Sequence, residues 1–152
     1  MALIKREKAI VEGIEVEVLE FSDTVETVEK ASRLSNEGPD SIIKTILLRG
    51  NHNYFIAIAR GDRKIDFKKA TQLLGTNLVL ANPKEVSEVL GVEVGAVTPI
   101  SSKVRGVKVV LDPYVLEKEH ILCGGGALNK LFKVRTSDLM KYLKPNVLNI
   151  FK

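Results

Sequence analysis

Apolar and polar residues follow one another along the chain with two different periods, which predict helices and strands in a mixed order. Apolar positions recur at helical spacing over residues 3–12, so the pattern predicts a first helix that ends at Gly13. Residues 14–19 instead alternate apolar and charged side chains, which is typical of a strand with one buried face.

The middle of the chain carries the clearest pattern, a pair of strands joined by a short loop. Residues 42–49 and 54–60 are rich in isoleucine, leucine and alanine, and the loop 50–53 contains glycine and asparagine. This arrangement predicts a β-hairpin. Apolar runs at residues 78–81, 107–111, 121–123 and 131–134 predict further strands.

Capping residues set the predicted boundaries of the other helices. Ser22 and Asp23 are N-cap candidates for a helix through Leu34, and Asp66 is the candidate for a short helix that ends before Gly75.

Two more helices are predicted in the second half of the chain. Asn82 is followed by proline and then, three residues on, by glutamate, so it is a strong helix start; that helix ends at Gly91. Thr136 or Ser137 is expected to cap a final helix through Leu143. Since strands and helices do not alternate strictly, the predicted class is α/β in the mixed, α+β sense: one compact domain, residues 1–152, around a mixed sheet.

Composition excludes several classes of protein. Hydrophobic residues make up 45% of the 152 residues and charged residues 28%, so a disordered chain is excluded. One cysteine excludes an internal disulfide, and with two histidines it argues against a zinc site. No apolar run reaches the roughly 18 residues that span a bilayer, and the N-terminus lacks a signal-peptide core, so a cytoplasmic location is expected.

The net charge is mildly positive, +4, from 23 lysine and arginine residues against 19 aspartate and glutamate residues. Such a charge permits a nucleic-acid partner without demanding one. The basic residues form only small clusters, which are more typical of a solvated face than of an RNA-binding groove: residues 60–64, 68–69 and 103–105.

Lys44 is the first residue whose position suggests chemistry. Because strand side chains alternate, Lys44 lies on the same face of its strand as Ile42, Ile46 and Leu48. A lysine among isoleucine and leucine is costly to bury unless it has a partner or opens into a cleft. From the pattern alone, a lysine that reaches water along its apolar stem is the commoner explanation, and a cleft lysine is the alternative.

Two glycine-bearing segments are the next candidates. Gly124, Gly125 and Gly126 follow a strand directly, and consecutive glycines allow backbone N–H groups to approach an anion or a carbonyl oxygen. A tight turn between two strands is the alternative, and it is the commoner use of such a run. The segment 91–99 is typical of a helix exit followed by a proline-stiffened loop.

Asp112 and Cys123 are candidates with structural alternatives. Asp112 precedes a proline at a strand end, where a carboxylate commonly caps a turn. Cys123 lies three residues after His120, so on one strand their side chains lie on opposite faces and cannot pair. A small buried thiol is the favoured interpretation, and no serine-nucleophile motif is present. Any hydrolysis is therefore expected to proceed without a protein nucleophile.

In their order and spacing these segments resemble the YbaK/ProX family of aminoacyl-tRNA deacylases, which is related to the editing domain of bacterial prolyl-tRNA synthetases. The resemblance runs from about the second strand to the last helix. It implies a mixed, curved or barrel-like sheet with surrounding helices. The segments that carry it are residues 43–48, 57–62, 66–70, 91–99, 110–112, 123–126 and 138–139.

The resemblance implies a free-standing enzyme that acts in trans and hydrolyses the ester between a wrong amino acid and the tRNA 3′ end. The expected substrate is a small amino acid, such as alanine or cysteine, on tRNA for proline. A tRNA ribose hydroxyl would assist the reaction, and neither a metal nor a cofactor is implied. The implied partner is tRNA, an aminoacyl-tRNA synthetase is a second candidate partner, and no membrane or DNA is involved.

The resemblance also implies the site. Lys44 would position the tRNA 3′ end, and the backbone N–H groups of Gly95, Gly124 and Gly125 would stabilise the oxyanion that forms at the scissile carbonyl. These four are the catalytic candidates. Residues expected to bind the substrate are Phe21, Thr45, Ile46, Val97, Thr98, Pro99, Asp112, Cys123 and Gly126.

The chain departs from the family pattern at three positions. Ala96 stands where a second glycine is usual, Phe21 is an aromatic residue without a hydroxyl, and Cys123 stands where a small polar residue is frequent. These departures leave the amino-acid specificity open. Two other hypotheses also remain: a non-catalytic tRNA- or synthetase-binding module of the same fold, and a binder of a small phosphate or carboxylate ligand.

Overall fold

The computed structural model of the protein describes residues 2–152, which form two sheets and five helices. In chain order the strands are β1 (Leu3–Val11), β2 (Ile14–Phe21), β3 (Ile43–Arg49), β4 (Tyr54–Arg60), β5 (Val79–Leu80), β6 (Lys108–Leu111), β7 (His120–Gly124), β8 (Lys130–Arg135) and β9 (Asn146–Val147). The helices are α1 (Val28–Ser35), α2 (Phe67–Leu74), α3 (Pro83–Leu90), α4 (Ser102–Arg105) and α5 (Thr136–Leu143).

One sheet is antiparallel throughout, with the strand order β1-β2-β8-β7. The helix predicted over residues 3–12 is wrong, because this segment is strand β1 and pairs with β2 along almost its whole length. A ten-residue helix is only marginally stable by itself, whereas pairing with β2 satisfies the backbone of β1 in the sheet. The predicted helical end at Gly13 is instead the turn between the two strands.

The other sheet is mixed, with the strand order β5-β3-β4-β6-β9. The predicted hairpin is confirmed, since β3 and β4 pair antiparallel from Ile43 with Arg60 to Arg49 with Tyr54. Strands β6 and β9 join on the far side in parallel. The predicted mixed α/β class is thus confirmed, but the strands form two sheets, not one.

Two helix starts differ from the prediction. Helix α1 begins after Thr27, whose hydroxyl accepts a hydrogen bond from the Lys30 N–H at 3.2 Å, so Ser22 and Asp23 are not its caps. Helix α5 follows Arg135 without a side-chain cap, and the Thr136 hydroxyl donates to the Lys118 carbonyl instead. Before α1, the N–H groups of Ser22 and Val25 donate to the carbonyls of Ala2 and Leu128, so this segment is bound to distant parts of the chain. The contact of Thr136 with Lys118 is also between segments, and local sequence describes neither.

The other predicted caps are confirmed. Asp66 accepts from the Lys69 N–H at 3.2 Å at the start of α2. Asn82 and Glu85 form a reciprocal capping box at the start of α3. The short helix α4 and strand β9 were not predicted.

The two sheets meet where Ile42 forms a parallel bridge with Leu122 of β7. On β3, Ile43 and Leu47 belong to one buried cluster, and Ile46 and Leu48 contribute to another on the opposite face. The predicted alternation is therefore confirmed, and Lys44 shares the face of Ile46 and Leu48. Within residues 2–152 no helix is long and apolar enough to cross a membrane.

Candidate active site

A cavity of about 370 Å³ lies at the junction of the two sheets. One part of the wall is formed by the loop before α1, the first turn of α1 and the beginning of β3. The other part is formed by the segment 94–97, the end of β7 and the beginning of β8. Seven residues predicted for the site line this cavity: Lys44, Thr45, Ile46, Gly95, Val97, Cys123 and Gly124.

Lys44 contributes an ammonium group to the cavity, and a second lysine of the wall, Lys130, pairs with Glu20 at 3.6 Å. The Nζ of Lys44 donates a hydrogen bond to the main-chain carbonyl oxygen of Arg63. Burial lowers the pKa of Lys44 from its ordinary value, while the nearby Glu29 and Asp62 carboxylates oppose this shift. Among residues 2–152, the ion pairs do not include Lys44. The ammonium thus uses one of its three donors on the protein and has no carboxylate partner there.

Gly124 is a glycine because another part of the chain passes directly over it. A Cβ at this position would lie 2.0 Å from the carbonyl oxygen of Val97, which is main chain and cannot move aside easily. At Gly95 a Cβ would lie 2.6 Å from the Leu128 side chain and 2.9 Å from Cβ of Glu26. Both glycines therefore allow segments of the cavity wall to pack closely.

The main chain of Gly125 is already engaged. Its N–H donates to the carbonyl oxygen of Lys130 at 3.0 Å, so the expectation that it binds the oxyanion is wrong. In an antiparallel pair, hydrogen-bonding groups of successive residues point to opposite sides. The N–H of Gly124 is therefore directed away from β8, towards the edge of β7 at which Leu122 forms its bridge with Ile42.

Six predicted site residues lie outside the cavity wall. Phe21 is 1% exposed and packs in a core cluster between the first sheet and α1. The Thr98 hydroxyl accepts from the Ile100 N–H at 3.2 Å. The structure places outside the wall Phe21, Thr98, Pro99, Asp112, Gly125 and Gly126.

Asp112 is fully buried and is a cap, as its local sequence favoured. Its carboxylate accepts from the Tyr114 N–H at 3.1 Å and the Arg60 N–H at 3.2 Å, and it forms an ion pair with Arg63 at 2.9 Å. A buried carboxylate with these donors is satisfied, and Asp112 does not line the cavity.

Cys123 lines the cavity with a fully buried side chain. Burial raises the pKa of its thiol to about 12. Because the thiolate is the nucleophilic form, almost none is available at neutral pH. The side chain is therefore part of the wall and not a nucleophile.

Two acidic residues of the wall, Glu26 and Glu29, were not predicted. The pKa of Glu26 is lowered to about 2, first by the Thr24 hydroxyl and then by its own backbone N–H and Lys30. In sequence these glutamates are ordinary residues at a helix start. Only the position of α1 across the junction places them beside the cavity.

Several of the cationic groups outside the cavity have partners within the protein. Arg60 pairs with Asp62 at 2.6 Å and with Glu117 at 3.1 Å, and Lys69 donates to the Phe151 carbonyl at 3.1 Å. A larger groove of about 670 Å³ on the outer face of the first sheet contains none of the predicted site residues. Its charged side chains include the cross-strand pair of Arg6 with Glu17.

The comparisons with known proteins agree with the resemblance seen in the sequence. A family model of the aminoacyl-tRNA editing domain matches residues 22–142. The chain is 32% identical over 120 residues to a proline–tRNA ligase of Halalkalibacterium halodurans. The aligned region covers 78% of this chain and 21% of the ligase. The chain thus spans about a fifth of the length of the proline–tRNA ligases it matches.

A second relative is similar over most of its own length. The multifunctional Ser/Thr-tRNA deacylase ProXp-y of Escherichia coli (strain K12) is 28% identical over 115 residues, which are 74% of this chain and 68% of that protein. A solved structure described as a candidate trans-editing enzyme for prolyl tRNA synthetase has the same fold, with a TM-score of 0.82 and 24% identity over 90% of this chain and 87% of that one.

The family model matches most of the chain, and the solved structure shows that the two proteins share a fold. The family match also covers the parts of the chain that build the cavity, from the loop before α1 to β8. The chain therefore belongs to the family of aminoacyl-tRNA editing domains.

Proposed function

We propose that this protein is a free-standing trans-editing deacylase, which hydrolyses the ester that joins a small, wrongly attached amino acid to the 3′ end of tRNA for proline. Alanine and cysteine are the proposed amino acids. The observation that carries the proposal is that the ammonium-bearing Lys44 and Gly124 line one cavity of about 370 Å³. Similarity to a deacylase over 68% of that protein's length supports action in trans.

Lys44 is proposed to hold the 3′-terminal phosphate or ribose of the tRNA. Its ammonium lies in a partly apolar wall, where electrostatic attraction to an anion is stronger than in water. It has two donors left after the contact with the Arg63 carbonyl. Placing the tRNA end in this way fixes the ester relative to the remainder of the cavity.

The N–H of Gly124 is proposed to stabilise the oxyanion that develops when water attacks the ester carbonyl. Its direction towards the sheet junction supports this role. In well-studied acyl-transfer sites, losing one such donor costs roughly a hundredfold in rate. Water adds to the carbonyl carbon, the bond to the ribose oxygen breaks, and the products are the free amino acid and tRNA with a free hydroxyl.

No side chain of the cavity is proposed as a nucleophile. Cys123, the one thiol of the chain, has a pKa raised to about 12 by burial. We propose that a ribose hydroxyl of the tRNA itself orients the attacking water, so the substrate supplies part of the catalytic group. Aliphatic side chains of the wall, Ile46 and Val97, would exclude larger amino acids by size. One methylene group changes the binding free energy in an apolar pocket by only about 1–3 kcal/mol. A pocket that is too small for larger amino acids therefore discriminates better than one that binds the smaller amino acid more tightly.

One observation favours a second substrate, a hydroxyl-bearing amino acid. The Oγ1 atom of Thr45, a residue of the cavity wall, is buried and has no hydrogen-bond partner among the described residues. We propose that this hydroxyl forms a hydrogen bond with the side chain of a serine or threonine ester when the substrate is bound. The name of the Escherichia coli relative, a Ser/Thr-tRNA deacylase, points to the same class.

The test is a panel of purified tRNAs charged with correct and incorrect amino acids, incubated with the chain alone and without a synthetase. We expect loss of the ester from tRNA for proline charged with alanine or cysteine, and no loss from the correctly charged tRNA. Lys44→Ala is the control and should lose the activity. Binding of tRNA with no hydrolysis on any member of the panel would favour the non-catalytic module instead.

The Thr45→Val variant separates the two substrate classes, because valine keeps the shape of threonine and removes only the hydroxyl. If serine and threonine esters are substrates through this hydroxyl, their hydrolysis should fall at least tenfold, while that of alanine esters stays within about twofold. Thr45→Ser should retain the activity on all of them.

A further inference from the structure

Arg63 lies outside the cavity wall, yet its main-chain carbonyl is the hydrogen-bond partner of the Lys44 ammonium. This carbonyl belongs to the turn that follows β4. The position of the ammonium therefore depends on how firmly this turn is held.

The turn is held by a buried carboxylate. Asp112 has no exposed surface, and one of its oxygens accepts from Arg63 Nε at 2.9 Å and from the Arg60 N–H at 3.2 Å. Its other oxygen accepts from the Tyr114 N–H at 3.1 Å. A buried ion pair of this kind has little freedom, because moving either partner would leave a charge uncompensated.

Two further contacts fix the Arg63 guanidinium. It donates to Asn149 Oδ1 at 2.9 Å, and its central carbon lies 4.0 Å from the centre of the Tyr114 ring. The planar guanidinium suits simultaneous hydrogen bonding in its plane and stacking on its face. Arg63 is thereby held from three directions, and its main chain with it.

Lys44 needs such support more than a shorter side chain would. A lysine side chain has a flexible four-carbon stem and loses substantial conformational freedom when it is held in one place. Displacing a catalytic group by about 1 Å from its productive position lowers the reaction rate on the order of a hundredfold. A fixed carbonyl at the end of the stem selects one position.

We propose that Asp112 and Arg63 are positioning residues for Lys44: their buried ion pair fixes the main chain at Arg63, and the Arg63 carbonyl holds the lysine ammonium at the cavity. The consequence for catalysis rests on the proposed function, whereas the position of the ammonium does not. Asp112 thus acts at a distance from the substrate.

The experiment observes the Lys44 ammonium directly by NMR of protein with ¹⁵N-labelled lysine, in which Lys44→Ala identifies the Lys44 side-chain signal. In Arg63→Met we expect this signal to shift and broaden, and deacylation of mischarged tRNA, measured as kcat/KM, to fall about tenfold. Arg63→Lys keeps the positive charge but lacks the planar guanidinium, so we expect an intermediate shift of the Lys44 signal.

Arg49→Gln is the matched control. It removes a different ion pair, with Glu85 at 3.1 Å, at the far end of the same strand, so the Lys44 signal and the activity should stay as in the wild type. The Lys44 signal also reports the charges around it, which are those of Glu29, Asp62 and Lys64. All spectra are therefore compared at one pH.

An unchanged Lys44 signal in folded Arg63→Met would overturn the inference, even if activity were lost. Should Arg63→Met fail to fold, Tyr114→Leu replaces it: this residue is 41% exposed, so the variant removes the stacking ring with little loss of packing. In Tyr114→Leu we expect a shift of the Lys44 signal that is smaller than the one expected for Arg63→Met. An unshifted Lys44 signal in this variant would equally contradict the inference. If the wild type hydrolyses no mischarged tRNA, the proposed function fails, and the NMR signal still decides the positioning role.

Discussion

The two ends of strand β3 each carry one cation, and the two are satisfied in different ways. At the end of the strand, Arg49 pairs with Glu85 at 3.1 Å, and the same carboxylate accepts from the Tyr54 hydroxyl at 2.7 Å. At the beginning, Lys44 faces a cavity, and within residues 2–152 its ammonium donates a hydrogen bond to a main-chain carbonyl. Glu85 has a second structural role as part of the capping box of α3.

The difference separates a cation whose charge is paired within the protein from one that faces a cavity. Arg49 is 51% exposed at its side chain and has a carboxylate, so its charge needs nothing further. Burial lowers the pKa of Lys44, and none of the ion pairs within residues 2–152 includes it. A partly buried ammonium without a directly paired carboxylate is unfavourable for folding alone, and such groups concentrate at binding and catalytic sites. An anionic ligand would supply the missing partner.

The largest effect is expected at the Lys44 end. Lys44→Ala should lower kcat/KM for mischarged tRNA at least a hundredfold, because both the charge and the position of the tRNA end are lost. Single-turnover deacylation measures this. Retention of full activity would contradict the distinction between the two cations.

Gly124→Ala tests the main chain that shares the cavity with Lys44. The new Cβ would lie 2.0 Å from the Val97 carbonyl oxygen, so either the β7 end or the segment 94–97 must move. We expect a loss of activity of about thirtyfold and a loss of about 1–3 kcal/mol in the free energy of unfolding. Deacylation rates and urea unfolding measure the two. A variant with normal stability and normal rate would show that this close contact is not needed.

The pH dependence of tRNA binding should distinguish Lys44 from an ordinary lysine. Burial lowers the pKa of Lys44, so its ammonium loses its proton at a lower pH than exposed lysines do. Affinity should be complete below this pKa and should fall as pH rises through it, by at most about tenfold per pH unit for one proton. Fluorescence anisotropy of labelled, uncharged tRNA measures the affinity. In Lys44→Arg, whose guanidinium stays charged, this alkaline decrease should vanish.

Cys123→Ala should change deacylation by less than about threefold. The thiol lines the same cavity as Lys44, but its pKa is raised to about 12, so it takes no part as a thiolate. A modest loss of stability is expected from the smaller side chain in the core. Loss of nearly all activity with a normal unfolding curve would instead identify Cys123 as a participant.

The smallest effect is expected at the other end of β3. Arg49→Gln should leave deacylation unchanged and lower the free energy of unfolding by less than about 1 kcal/mol, as is typical of exposed ion pairs. Thermal unfolding and the same kinetic assay measure both values. A loss of activity similar to that of Lys44→Ala would remove the contrast between the two cations.

Local patterns predicted those elements whose signals lie within a few residues. The β3–β4 hairpin, the Asp66 cap and the capping box at Asn82 are of this kind. Strand β1 was predicted as a helix because its spacing fits both structures, and only pairing with β2 decides between them. The start of α1 at Thr27 was missed for a similar reason, since the chain first crosses the sheet junction.

The residues that line the cavity were predicted in part. Lys44 was identified because a lysine within an apolar strand is anomalous, and the glycine after β7 because glycine permits close approach. Phe21 and Asp112, in contrast, were expected in the pocket and lie in the interior instead. Residue type alone does not reveal whether a buried side chain lines a cavity or lies in the packed core.

By itself, then, the sequence determined the family, most elements and the presence of a lysine with no evident local partner. Only the tertiary structure decided that the lysine faces a cavity between two sheets, that Glu26 and Glu29 lie beside it, and that Asp112 is bound to Arg63. The physical reason is range. Helix caps, turns and strand alternation depend on neighbours along the chain, whereas a cavity and a buried ion pair depend on segments that folding brings together.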